Sequence, residues 1–67
     1  MQIEDVKRFL RKVEKFAEED DFEAAHSTEI DLWYVVLRAV AGGAENAQEL
    51  AKEALKSQEL EFGRYCA

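Results

Sequence analysis

The chain has 67 residues, 48% of them hydrophobic and 36% charged, which fits one domain with a small core of marginal stability and argues against wholesale disorder. Fifteen Asp and Glu against nine Lys and Arg give a net charge of -6, which opposes non-specific attraction to nucleic acid or an anionic membrane and leaves a basic protein as the easier partner. A single cysteine and a single histidine exclude an internal disulfide and a structural zinc set, so oligomerisation is the remaining common supplement to so small a core.

Zero proline and three glycines leave few breakers, and long helices follow. From Ile3, apolar residues recur at Val6, Leu10, Val13 and Ala17, with Phe9 and Phe16 widening the stripe. This spacing predicts a core-facing helix over residues 2–18. Glu4 and Asp5 fall in its first turn, where the helix dipole favours acids, and Lys7 to Lys15 form a basic flank.

Four consecutive acids, Glu18 to Asp21, follow. Asp20 with Glu23 three residues on fits an N-cap and its reciprocal partner, so a second helix is expected over 21–41. Ser27 and Thr28 are poor choices inside a helix, and Thr28 with Asp31 offers a second cap, so a bend near residue 27 is open.

The central stretch Ile30 to Ala41 reads I-D-L-W-Y-V-V-L-R-A-V-A, with only Asp31 and Arg38 charged. Trp33 to Val36 also have strand propensity. A helix is preferred because no second strand is evident to pair with it and the apolar run has helical length. Such a segment needs cover from other elements, and its one polar face is Asp31, Tyr34 and Arg38. Gly42 and Gly43 supply the stop.

Asn46 with Glu49 marks a third, alanine-rich helix over 46–57, and Leu60, Phe62 and Tyr65 in the tail 58–67 are expected to fold back over the core. The fold class is therefore all-α: a single compact three-helix domain over residues 1–67 with a packed C-terminal tail. Charge is segregated along it: residues 1–15 carry five bases and three acids, and 16–37 carry seven acids and no base. In an antiparallel hairpin the basic flank of the first helix could face the acidic half of the second, within one chain or across a dimer.

No catalytic motif, phosphate loop or cofactor-binding pattern stands out, so a non-enzymatic role is expected. The chemistry-bearing candidates are few. Glu23 and His26 lie at i and i+3 on one helical face, half of the carboxylate–histidine motif of di-iron bundles, and a dimer with Glu14, Glu18 or Glu19 would supply further ligands. A solvated or helix-capping His26 is the simpler alternative. The run Glu18 to Asp21 lacks the ligand spacing of a calcium loop. Cys66 would have to reach His26 to form a nucleophile pair. Trp33, Tyr34 and Leu37 of the central helix, with Phe9 and Phe16 of the first, are the candidate interface residues, although Trp33 also suits a core position. The twelve-residue apolar run is too short to span a bilayer, and the start M-Q-I-E-D lacks the pattern of a signal peptide. With a lone thiol, a cytoplasmic location is expected.

Two strings, A-H-S-T-E-I-D-L-W-Y-V-V-L-R-A-V-A at 25–41 and E-L-A-K-E-A-L-K-S-Q-E-L-E-F-G-R-Y-C-A at 49–67, resemble small helical proteins of bacteria and their mobile elements. In these a histidine–acid segment leads into an apolar helix and the chain ends in an aromatic-cysteine-alanine tail. The resemblance covers about half the chain. It implies no activity, and it implies that the tail after Leu60 is a structured part of the domain.

The expected function is a small protein-interaction or assembly module acting as a homodimer. Two alternatives stand beside it: a metal-binding helical protein using Glu23 and His26, with oxidase or storage chemistry, and an acidic inhibitor that imitates nucleic acid.

Overall fold

The computed structural model describes residues 1–64, which form three helices, α1 (Ile3–Glu18), α2 (Phe22–Ala41) and α3 (Ala47–Leu55), closed by a 3-10 turn, Lys56–Glu59. The all-α three-helix class is as the apolar spacing predicts. Tyr65 and Cys66, to which the tail and nucleophile readings also extended, lie outside the described residues.

Helix α1 starts where Gln2 N–H donates to the Asp5 carboxylate at 2.8 Å, satisfying one donor that a helix N-terminus leaves free. Its end is set by backbone geometry. Asp20 takes a left-handed φ of 59°, while Asp20 N donates to Ala17 O at 3.1 Å and Asp21 N to Phe16 O at 2.9 Å. This pair of bonds is a Schellman ending. Aspartate tolerates the left-handed region better than most residues, which accounts for an acid where glycine is usual.

The N-cap of α2 is accordingly Asp21, whose Oδ1 accepts from Ala24 N at 3.2 Å, and not Asp20 as the spacing to Glu23 suggested. The correction has a physical reason: Asp20 is occupied in reversing the chain, so the next acid is the first one free to cap. Helix α2 then runs without interruption through Ser27 and Thr28. It ends in the same motif as α1, with Gly43 N on Val40 O at 3.0 Å and Ala44 N on Ala39 O at 3.1 Å. Here glycine is needed: Gly43 has a φ of 88°, while Gly42, at -80°, is ordinary.

Asn46 stands at the N-cap position of α3, but its side chain makes no cap bond. It reaches instead to Met1 O at 3.2 Å. That contact ties the start of α1 to the residues just past α2, as in an antiparallel hairpin, and α3 packs against both of its helices. The helix itself stops at Leu55, where the chain tightens into the 3-10 turn.

The core is the meeting of one face from each helix. Val6 of α1, Leu32 and Val36 of α2, and Leu50 and Ala54 of α3 are buried together. Ile3, Phe9, Leu10 and Trp33 pack around them. Burying a Val or Leu side chain stabilises by about 1.5–3 kcal/mol, so Val6, Leu32, Val36 and Leu50 make a core that is small against the cost of ordering the chain. The alanines of α3 let it approach closely.

The basic flank of α1 does not meet the acids of α2 in ion pairs among the described residues. Lys7 pairs with Glu4 at 3.9 Å and Arg8 with Asp5 at 3.4 Å, each one turn away on α1 and exposed, the class of pair worth little. No described helix is long and apolar enough to cross a membrane.

Candidate functional site

Helix α2 carries both unusual environments of the molecule, on opposite sides. Its buried positions are Ala25, Glu29, Leu32 and Val36, spaced four, three and four residues, the stripe a core-facing helix presents. One of the four is a carboxylate. Glu29 is 0% exposed, and a buried charge must be paired and hydrogen-bonded to persist.

Its partner comes from the far end of the chain. Arg64 Nε donates to Glu29 Oε1 at 2.8 Å, and Nη2 lies 3.1 Å from Oε2, the forked geometry that suits guanidinium to carboxylate. The same Nη2 is 3.0 Å from Ser57 O and 2.9 Å from Leu60 O, so Arg64 also satisfies carbonyls at the 3-10 turn. The Phe62 ring lies under the guanidinium, 3.8 Å from its centroid, covering its other face. One turn along α2, Trp33 Nε1 donates to the hydroxyl of buried Ser57 at 3.1 Å. Four polar side chains thus tie the segment after α3 to the inward face of α2.

His26 sits beside this network. Its Nδ1 is 3.9 Å from Glu29 Oε1, beyond hydrogen-bond distance, and neither ring nitrogen has a partner among the described residues. Glu23, the other half of the proposed metal pair, is exposed to solvent. Among the described residues no group of three His, Cys, Asp or Glu side chains comes together as a metal ion would require. The Glu18 to Asp21 acids are all exposed. Chain reversal at Asp20 and capping by Asp21 account for two of them without a partner.

The outward side of α2 has the opposite character. Ile30, next to the buried Glu29, is 46% exposed, Tyr34 is 60% and Leu37 is 66%. Leu55 at the end of α3 is 57% exposed. Between α2 and α3 lies an open groove of about 280 Å³, walled by Trp33, Val36, Leu37, Ala51, Ala54 and Leu55, with Gln58 at its edge. The exposed apolar side chains and this groove are continuous, a patch of the kind that marks interaction sites. At its border Arg38 stands over the Tyr34 ring, 5.5 Å from the centroid. Asp31, Tyr34 and Arg38 are all exposed, as expected of the one polar face of this helix.

The five interface candidates therefore divide. Tyr34 and Leu37 are outward and accessible. Trp33 is half-buried, held to Ser57 by its indole nitrogen while its ring walls the groove. Phe9 and Phe16 are partly buried on α1. Phe9 lines a separate cleft with Asp5, Arg8 and Lys12, so it belongs to a different surface.

Sequence reading missed the Glu29–Arg64 pair. The one available signal was that Glu29 falls in helical register with Ala25, Leu32 and Val36, the stripe that the fold turns inward. Comparison of the chain with protein-family models, with curated proteins and with solved structures gives no match.

Proposed function

We propose that this chain is a small non-enzymatic protein-interaction module whose docking surface is the outward face of α2 together with Leu55 of α3. The observation that carries it is the exposure of Tyr34 and Leu37, at 60% and 66%, on a helix that buries a carboxylate instead. A chain with a core this small gains by burying more apolar area, and the groove beside Leu37 offers a place to do so. The buried network supports the same reading by fixing the position of α2 and of the groove wall. Surfaces held rigid before association lose less entropy on binding.

The test is comparative capture. Tagged wild-type chain and the variants Leu37→Glu and Leu55→Lys are incubated with an untagged copy of the chain and, separately, with cell extract, after circular dichroism has confirmed helical content. The expected result is that wild type retains a bound protein, of its own kind or another, and that both variants lose it. Equal retention by wild type and variants would overturn the reading.

A further inference from the structure

We infer that the occupant of this face is a second copy of the chain, laid antiparallel along α2; the inference rests on the interaction reading above and names its partner. The outward residues Ile30, Tyr34, Leu37 and Ala41 are all exposed and repeat at four, three and four residues, the spacing of a helix–helix seam. What selects a second copy is the charge beside that seam. Each seam helix has two flanks. One consists of Asp31 and Arg38, both exposed, of opposite sign and one heptad apart. The other consists of Trp33 and Val40 and leads into the groove against α3.

An antiparallel pair with Tyr34 opposite Leu37 of the partner copy has its twofold axis level with Val35 and Val36. The charged flanks then meet on one side of the seam, where Asp31 of each copy stands next to Arg38 of the other. Two reciprocal ion pairs result, the self-complementarity a twofold interface requires. The apolar flanks meet on the other side, where Trp33, Val40 and Leu55 of the two copies close over one another. A parallel pair has neither feature. Its symmetry sets each charged flank against the partner's apolar flank, so Asp31 and Arg38 are desolvated without partners, which is costly. The arrangement also uses the groove, since Leu37, its most exposed wall, becomes central to the seam.

The area required is within reach. A stable interface covers about 800 Å² on each partner, roughly a sixth of the 4657 Å² this chain exposes.

The experiment uses the full chain with Cys66→Ser, so that an introduced cysteine is the one thiol available for labelling. Sedimentation equilibrium over low to high micromolar concentration is expected to show a dimer for wild type and a monomer for Leu37→Glu. Asp31→Arg and Arg38→Asp alone each turn two attractive pairs into repulsive ones, and each weakens the dimer on the order of tenfold. The double exchange Asp31→Arg with Arg38→Asp restores it. Orientation is read by a spin label at Glu23→Cys, an exposed site about twelve residues from the axis. At 1.5 Å per residue, antiparallel helices hold the two labels about 37 Å apart along the seam, and parallel helices bring them to within about 20 Å.

A monomer at all concentrations that still loses a captured protein on Leu37→Glu overturns this inference and leaves the interaction reading standing. A dimer with the short label distance, or one in which the double exchange fails to restore association, also overturns it. Failure of the wild-type chain to retain any protein, of its own kind or another, overturns both.

Discussion

The two sides of α2 invert the ordinary rule for a small domain: inward lies a carboxylate, Glu29, with no exposure, and outward, at the next residue, lies Ile30 at 46%. The two are not symmetric in energy. An exposed isoleucine is a modest loss of possible burial and is common on protein surfaces. A buried carboxylate is tolerable only while its partner is present. The inward side is therefore fragile with respect to a single distant residue, and the outward side is tolerant of change as long as the chain is alone. One face therefore holds the fold together, and the other is exposed.

The inward side fails most severely in Arg64→Ala. This variant leaves Glu29 buried and unpaired and strips Ser57 O and Leu60 O of a donor, at an expected cost of about 3–5 kcal/mol. In a domain of this size that lowers the melting temperature by about 15 °C or more. The value belongs at the lower end, because the Arg64 side chain is itself 31% exposed and water can reach the site. Replacing both partners, Glu29→Met with Arg64→Leu, is expected to be near neutral or stabilising, since no charge then stays buried. A double variant as unstable as Arg64→Ala would show that Arg64 acts through packing and that its charge is incidental.

A smaller effect is expected one turn along the helix. Trp33→Phe keeps the aromatic wall but leaves the buried Ser57 hydroxyl without its donor, at about 1 kcal/mol. Thermal melts of Trp33→Phe, Ser57→Ala and the pair together form a cycle, and additivity of the two single effects would show that the bond contributes nothing of its own.

The smallest effect belongs to the outward face. Ile30→Lys, melted at a concentration low enough to keep the chain monomeric, is expected to stay within about 0.5 kcal/mol of wild type. A loss of several kcal/mol, as a core substitution gives, would mean that Ile30 is packed and that the contrast between the two faces is not real.

What was legible in the residues follows how local each feature is. The stripe Val6, Leu10, Val13 marks α1 because helical periodicity is written within one segment. The glycine pair marks the end of α2, with Gly43 alone requiring the left-handed backbone. The spacing to Glu23 puts the cap of α2 one residue early, because whether Asp20 or Asp21 caps depends on which of them the chain reversal uses. Asn46 stands at the start of α3, as its spacing to Glu49 predicts, but makes no side-chain cap there; its side chain turns to Met1, 45 residues away. The interface candidates Tyr34 and Leu37 could be proposed from composition, but their separation from Phe9 onto another surface could not.

The number of helices, their approximate limits and the apolar character of the central one were all written in the residues, because propensity, capping and periodicity act over a turn or two of chain. Which side of α2 faces inward was settled by the packed chain and by nothing shorter. That side includes Glu29, whose burial is tolerable because Arg64, 35 residues away, pairs with it once α3 and the turn behind it have folded back. Once Glu29 is drawn in with Leu32 and Val36, helical geometry leaves Ile30, Tyr34 and Leu37 on the opposite side. The exposed apolar face is thus the far side of a helix whose inward stripe is completed by contacts distant in sequence, which is why Ile30 to Ala41 alone does not show which of its residues stay exposed.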